Sequence, residues 1–203
     1  MTERAAQGYG ALVLAAGASR RLGTPKQLLP FRGEPLVHRA AHTAFDAGFW
    51  PVVVVVGCRA DEVRAALAGM PLVTATNEAW EEGLASSIRV GLGRLAECAP
   101  SAAGVLLLAC DQPLVEAAHL DALAAAARAS GAAMAASSYG GTLGVPALFA
   151  ASTFPELLAL RGDVGARALL AKDPARVAAV PLPGGELDVD TPDDWARALG
   201  ARA

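Results

Sequence analysis

Lysine is almost absent from this chain: Lys26 and Lys172 are the only two among 203 residues, against 15 arginines. Any lysine in a special place is therefore worth reading. Net charge is only −3, and the sequence pI near 5.6 excludes a nucleic-acid polymer partner held by phosphate neutralisation. Cysteine is scarce as well. Cys58, Cys98 and Cys110 have no metal-ligand spacing and leave one thiol over in any disulfide scheme, which fits a reduced, cytoplasmic setting. No uncharged apolar run reaches the roughly 20 residues of a membrane helix, so no membrane partner is expected. The start, MTERAAQGYG, is short and polar, and the apolar stretch after it is broken by Arg20 and Arg21, unlike a signal peptide. Aromatics make up 5% of the chain, too few to anchor a large interface, whereas 48 alanines favour close helix packing.

Short apolar runs alternate with longer helical patterns. Ala11–Leu14, Val52–Val56, Pro71–Val73 and Val105–Ala109 read as buried strands of a parallel sheet. Pro35–Ala47, Asp61–Ala68, Ser86–Leu95 and Ala117–Ala129 read as the helices between them. The alternation predicts an α/β three-layer sandwich with a mostly parallel sheet, built from right-handed βαβ units. In the last third, Val145–Phe149 and Val177–Leu182 read as strands and Val164–Ala171 as a short helix. A final helix opens at Thr191-Pro192, with Thr as cap and Pro in the first turn. One domain over 1–203 is expected, with a small added lobe near 137–175.

The segment directly after the first strand is LAAGASRRLGTPKQLLP, Leu14–Pro30. Ligands of open parallel sheets bind beyond the carboxyl ends of the strands. Gly17 and Gly23 allow tight turns and close backbone approach, and N–H groups in such a loop form an anion-binding nest. Arg20 or Arg21 can meet phosphate in a fork, and Lys26 adds a compact charge. The segment holds no acidic residue, so this acidic protein concentrates cations here, as a triphosphate site demands. Neither G-x-G-x-x-G nor G-x-x-x-x-G-K-[ST] is present, which removes support for dinucleotide and P-loop readings.

Asp111 follows the buried strand Val105–Ala109. A carboxylate there either caps the next helix or binds a cation such as Mg²⁺, which takes one or two carboxylates plus phosphate oxygens. Asp188 and Asp190, in LDVDTPDD, alternate along an extended segment and so share a side. Asp193 and Asp194 fall in the first turn of the last helix and suit its dipole. His38, His42 and His119 lie in helix-like segments and read as structural.

The loop resembles the signature L-x-x-G-x-S-x-R-x-G-x-x-K of the MobA-like nucleotidyltransferases, matched by Leu14, Gly17, Ser19, Arg21, Gly23 and Lys26, with Pro25. The resemblance implies a Rossmann-like nucleotidyltransferase fold in which the backbone near Leu14, Ala15, Ala16 and Gly17 meets base and phosphates. Arg21 and Lys26 would hold the triphosphate. Asp111 would be the metal aspartate, Asp190 the second metal ligand and Asp188 a support, with Mg²⁺ or alternatively Mn²⁺ as the ion. Asn77–Ser87 resembles the family's N-x-x-W-x-x-G-x-x-x-S segment, placing Asn77 and Ser86 or Ser87 near base, ribose or acceptor. Ser86 could equally cap the next helix.

Two details are similar to the cytidylyl-transferring branch: LAAG in the loop, and Arg161–Arg167, which resembles the G-D-x-G-A-R segment of molybdenum cofactor cytidylyltransferases. Gly162, Asp163 and Arg167 would then bind the acceptor. The resemblance implies CTP and molybdenum cofactor as substrates, and transient contact with a molybdoenzyme. One position departs: where relatives commonly carry G-H-P, this chain has Gly144-Val145-Pro146. Guanylyl transfer, transfer to another phosphorylated small molecule, and a non-catalytic molybdenum cofactor chaperone are the alternatives. Joint retention of Arg21, Lys26, Asp111 and Asp190 argues against the chaperone.

Overall fold

Five consecutive valines, Val52–Val56, are completely buried. Such a run survives only where a sheet is covered on both faces, and the computed structural model, which describes residues 8–201, shows that arrangement. The chain runs β1 (Tyr9–Ala15), the small hairpin β2 (Pro30–Phe31) and β3 (Glu34–Pro35), then α1 (Leu36–Asp46) and β4 (Val52–Val56). It continues through α2 (Ala60–Ala66), β5 (Val73–Thr76), α3 (Leu84–Cys98), β6 (Gly104–Ala109) and α4 (Ala117–Ser130). The last part holds β7 (Met134–Tyr139), β8 (Thr142–Ala150), α5 (Phe154–Leu158), α6 (Arg167–Lys172), β9 (Val177–Pro181) and α7 (Pro192–Gly200).

Seven strands form one sheet in the order β5-β4-β1-β6-β8-β7-β9. β1 pairs in parallel with β4 and β6, and only β8 runs against its neighbours β6 and β7. The α/β sandwich with a mostly parallel sheet is thus the fold. Period-2 alternation divides the sheet's side chains between two cores. Val13, Val54 and Leu108 pack under α1, α2 and α4, while Leu12, Val53 and Leu107 pack under α3, α5 and α6. Gly91 allows α3 to lie close, because a Cβ there would sit 2.9 Å from both Leu12 and Val55 side chains.

Several local expectations shift. The strand expected at Pro71–Val73 forms instead at Val73–Thr76, where Val73 pairs with Val53 and two β-branched threonines continue the ladder. The strand expected at Val145–Phe149 is the core of the longer β8. The helix expected at Val164–Ala171 starts only at Arg167, because Arg161–Gly165 is a turn with Gly162 at φ +62°. Part of segment 137–175 enters the sheet as β7 and β8; the remainder, with α5 and α6, covers the α3 face. Among the described residues no helix is long and apolar enough to cross a membrane.

Strand order reverses at β1: β4 lies on one side and β6 on the other. Loops leaving the carboxyl ends of β1 and β6 therefore diverge and open a crevice between them, where ligands of such sheets bind. A third, small cluster of Phe31, Leu36, Val189 and Ala198, with Trp195 against it, ties α7 and the segment before it to the β2–β3 hairpin. That cluster brings Asp190 back to this end of the sheet.

Candidate active site

The crevice is a cleft of about 460 Å³. Leu14, Ala16, Gly17, Ala18, Ser19, Arg20 and Lys26 line one side, and Trp80, Glu81, Gly83, Leu84, Ser87 and Ile88 another. Asp111 lies at its floor beside Leu107 and Ala109, and Val145, Asp163 and Ala166 close it.

Lys26 begins a single 3-10 turn, Lys26–Leu28. Its ammonium donates to Asp111 Oδ2 at 2.5 Å and to Asp190 Oδ1 at 2.7 Å. Arg21 Nη2 donates to the other Asp190 oxygen at 2.7 Å, from a largely exposed position. Four residues picked from three distant parts of the sequence thus form one charged cluster. Burial works against the Lys26 charge, but the Asp111 charge and the hydrogen bonds that Lys26 donates to both carboxylates outweigh it and raise its pKa. Burial likewise works against ionisation of Asp190; Lys26 and Arg21 overcome it and hold this carboxyl below its ordinary range.

Asp111 is no helix cap, since α4 begins six residues later behind Glu116. Its backbone carbonyl instead accepts from Val189 N–H at 2.9 Å, which locks the returning segment beside β6. Asp111 Oδ1 is buried with no hydrogen-bond partner. Such an orphaned oxygen is costly unless a ligand satisfies it. Among the described residues no three His, Cys, Asp or Glu side chains converge as a metal cage. Two carboxylates that leave the remaining positions to phosphate and water are what Mg²⁺ takes, so Asp111 and Asp190 fit a hard divalent cation.

Asp188 makes no ion pair with Lys26. Partial burial and then the Asp111 charge push its carboxyl up to about 6, so it reaches the cluster through its field. Asp190 is fixed from behind: Asp194 Oδ2 accepts from the backbone N–H of Asp190 and of Thr191, while Thr191 Oγ1 accepts from Asp194 N–H. This capping box opens α7 and leaves Asp194, as expected, structural.

The loop after β1 is built around a residue that the sequence reading missed. Gln27 is 1% exposed, and its Nε2 donates to Ala15 O at 3.0 Å and Gly17 O at 2.6 Å. Ser19, at φ +52°, accepts from Leu22 and Gly23 N–H at its carbonyl and from Lys26 N–H at its hydroxyl. Only the pairing of a polar Gln with Lys26 before an apolar run signalled this in the sequence.

Asn77 is buried at the end of β5 and does not line the cleft. Its Nδ2 donates to Ser86 Oγ and Ser87 Oγ, and only Ser87 reaches the cavity. Ser86 is no cap: α3 starts at Leu84, and the Ser86 hydroxyl bonds back to Gly83 O and Ala79 O. Gly83, at φ +107°, leaves room that a Cβ would take from Gly162 and Asp163, and Ala85 N–H donates to Gly162 O at 3.1 Å. The 161–167 segment thereby docks on the start of α3 and presents Asp163 to the cleft. Arg167 stands outside the lining and donates to Thr142 Oγ1 at 2.7 Å.

Among the described residues neither a cysteine nor a histidine lines the cleft. Burial pushes the Cys110 thiol up to about 12, so it stays protonated. His38 pairs with Glu34, and His119 bonds Ser137, both away from the cavity.

The MobA-like NTP transferase domain family matches residues 11–177. Purine catabolism protein PucB of Bacillus subtilis (strain 168) is 34% identical over 194 residues, which is 90% of this chain and 91% of that one. Crystallised Rv0371c of Mycobacterium tuberculosis H37Rv superposes with a TM-score of 0.83 at 36% identity, over 95% of this chain and 97% of its own. A structure of Rv0371c in complex with manganese superposes with a TM-score of 0.79 at 32% identity, over 96% and 99% of the two chains.

Proposed function

The chain belongs to the MobA-like NTP transferase family, and from that premise we propose that it transfers CMP from CTP to the phosphate of a molybdopterin-type molybdenum cofactor, releasing pyrophosphate. The single observation carrying the phosphate chemistry is Lys26 bridging Asp111 and Asp190 at the floor of a cleft walled by the loop after β1. Asp111 and Asp190 would hold a divalent cation, Mg²⁺ or Mn²⁺, which supplies charge neutralisation on the phosphates when bound. Rv0371c, crystallised with manganese, supports that class of ion.

Lys26 and Arg21 are the cations placed to stabilise the pyrophosphate leaving group, in the manner of positioned charge in phosphoryl transfer. An oxygen of the acceptor phosphate attacks the α-phosphorus in line. The new P–O bond forms as the bond to the β-phosphate oxygen breaks, and pyrophosphate departs with that oxygen. The chain's own work is to orient both phosphates, because in-line displacement gains mostly from positioning.

The LAAG and G-D-x-G-A-R segments support CTP and a molybdopterin acceptor. In this reading residues 137–175 form the acceptor lobe, with Asp163 at the cleft and Arg167 and Gly162 shaping its edge. Val145 gives the acceptor an apolar wall together with Ile88 and Leu107. The protein would work in the cytoplasm and hand the finished cofactor to a molybdoenzyme by transient contact. Mass spectrometry of the product tests the proposal: a cytosine dinucleotide form of the cofactor is expected from CTP, and a guanine form made preferentially from an equimolar CTP and GTP mixture would overturn it.

A further inference from the structure

Peptide planes in the loop after β1 alternate in what holds them. Gln27 Nε2 binds the carbonyls of Ala15 and Gly17, and the carbonyl between them, of Ala16, accepts from Cys58 N–H at 3.0 Å. In a planar trans peptide the carbonyl of one residue and the N–H of the next point in opposite directions. With the Ala15 and Gly17 carbonyls drawn onto the buried Gln27 amide, the N–H groups of Ala16 and Ala18 are turned to the side away from Gln27. Ala16, Gly17 and Ala18 all line the cleft, and a Cβ at Gly17 would meet nothing within 4 Å, so this stretch of backbone has open space before it.

The same amide reaches the rest of the loop. Gln27 Oε1 faces Ser19 Oγ at 3.4 Å, and that hydroxyl takes the Lys26 N–H at 3.0 Å. One side chain, completely enclosed, therefore sets the backbone of residues 15–19 and the take-off point of Lys26. Ala15 ends β1 and is also held in register with Val56 of β4, so the carbonyl that depends most on the buried amide is that of Gly17: left without Gln27 it would seek another partner and its peptide would rotate.

We infer that Gln27 is the positioning residue of the nucleotide site: it presets the loop so that backbone N–H groups face the bound nucleoside triphosphate before that ligand arrives. The inference rests on the nucleotidyltransferase reading and adds to it a residue whose effect falls on nucleotide capture rather than on the transfer step. Preorganisation of this kind lowers the cost of ordering the site on binding. Gln27 touches no reacting atom, so its loss should raise KM for the nucleotide and leave turnover at saturation nearly intact.

The test uses Gln27→Met, which keeps length and bulk but cannot donate, and Gln27→Glu, which keeps shape but turns a carboxylate toward two carbonyls. Steady-state pyrophosphate release is followed against nucleotide concentration, and binding of non-hydrolysable CTP and GTP analogues is measured by calorimetry without acceptor. Loss of two hydrogen bonds predicts about a tenfold or greater rise in nucleotide KM and analogue Kd for Gln27→Met, with kcat and acceptor KM changed about twofold or less. The Glu variant should be worse. A lowered Tm with unchanged nucleotide KM and Kd would overturn the inference and leave Gln27 a packing residue. Failure of the underlying reading looks different: wild-type protein would bind neither analogue. Should Gln27→Met not fold, Gln27→Glu supplies the same comparison, and equal affinity there would likewise overturn the claim.

Discussion

Lys26 Nζ stands 2.7 Å from Asp190 Oδ1 although the two residues are 164 positions apart in the chain. The same ammonium holds Asp111 at 2.5 Å, so it competes for the carboxylate oxygens that a divalent cation would take. Binding of ion and nucleotide is then coupled, because Lys26 must exchange its carboxylates for phosphate. Lys26→Met should bind Mn²⁺ more tightly than wild type in the absence of nucleotide, by about tenfold, and bind triphosphate more weakly. Free Mn²⁺ measured by electron paramagnetic resonance in a titration reads the first effect. Weaker Mn²⁺ binding by the variant would contradict it.

Asp111 is fixed by Lys26 and by the Val189 backbone, with one oxygen left unpartnered. Asp111→Asn removes the charge and keeps the shape. Turnover should fall by about 10²–10³, the size seen when one positioned electrostatic group is lost. The fold should survive, since Asp190 still pairs with the Lys26 ammonium and the Asn amide oxygen can keep the Lys26 hydrogen bond. Circular dichroism and a pyrophosphate assay on one sample separate the two effects, and an unaffected rate would remove Asp111 from the site.

Asp188 gives a pH signature. Partial burial and the Asp111 charge raise its value from 3.8 to about 6. Between those values the folded chain keeps a proton that the unfolded chain has released, so stability falls as pH rises through the window. Asp188→Asn should flatten that slope. Urea midpoints at pH 4.5 and 6.5, in buffer without divalent ions, measure it; identical slopes for both proteins would contradict the assignment.

The capping box of α7 supports the site from outside it. Thr191→Ala should cost about 1 kcal/mol of stability through the lost cap. It should also loosen Asp190, whose backbone shares the Asp194 carboxylate, and so weaken Mn²⁺ binding. Chemical denaturation and the same Mn²⁺ titration check both, and loss of stability with unchanged Mn²⁺ affinity would separate the cap from the site.

Much of this arrangement can be read in the residues themselves. Valine and leucine runs announce the strands because buried parallel strands need no alternation, and the loop after β1 announces itself by glycines and cations without acids. Position in the fold is less legible. β8 inserts between β6 and β7 as an antiparallel strand, a long-range pairing that no local pattern encodes. The 70s strand lies two or three residues later than its apolar run suggests, because its ladder with β4 decides where it forms. Gln27 carries only a faint signal in the sequence, because its importance lies in two carbonyls that converge only once the loop is folded. The guanidinium of Arg167, at the start of α6, donates to Thr142 at the start of β8, a long-range contact that its motif does not encode.

Pyrophosphate release with each of the four nucleoside triphosphates, with and without molybdenum cofactor, decides whether this chain transfers CMP to that acceptor. Release with CTP should depend on the acceptor and on a divalent cation, with far slower release from GTP. Acceptor-dependent release with GTP and none with CTP would contradict it.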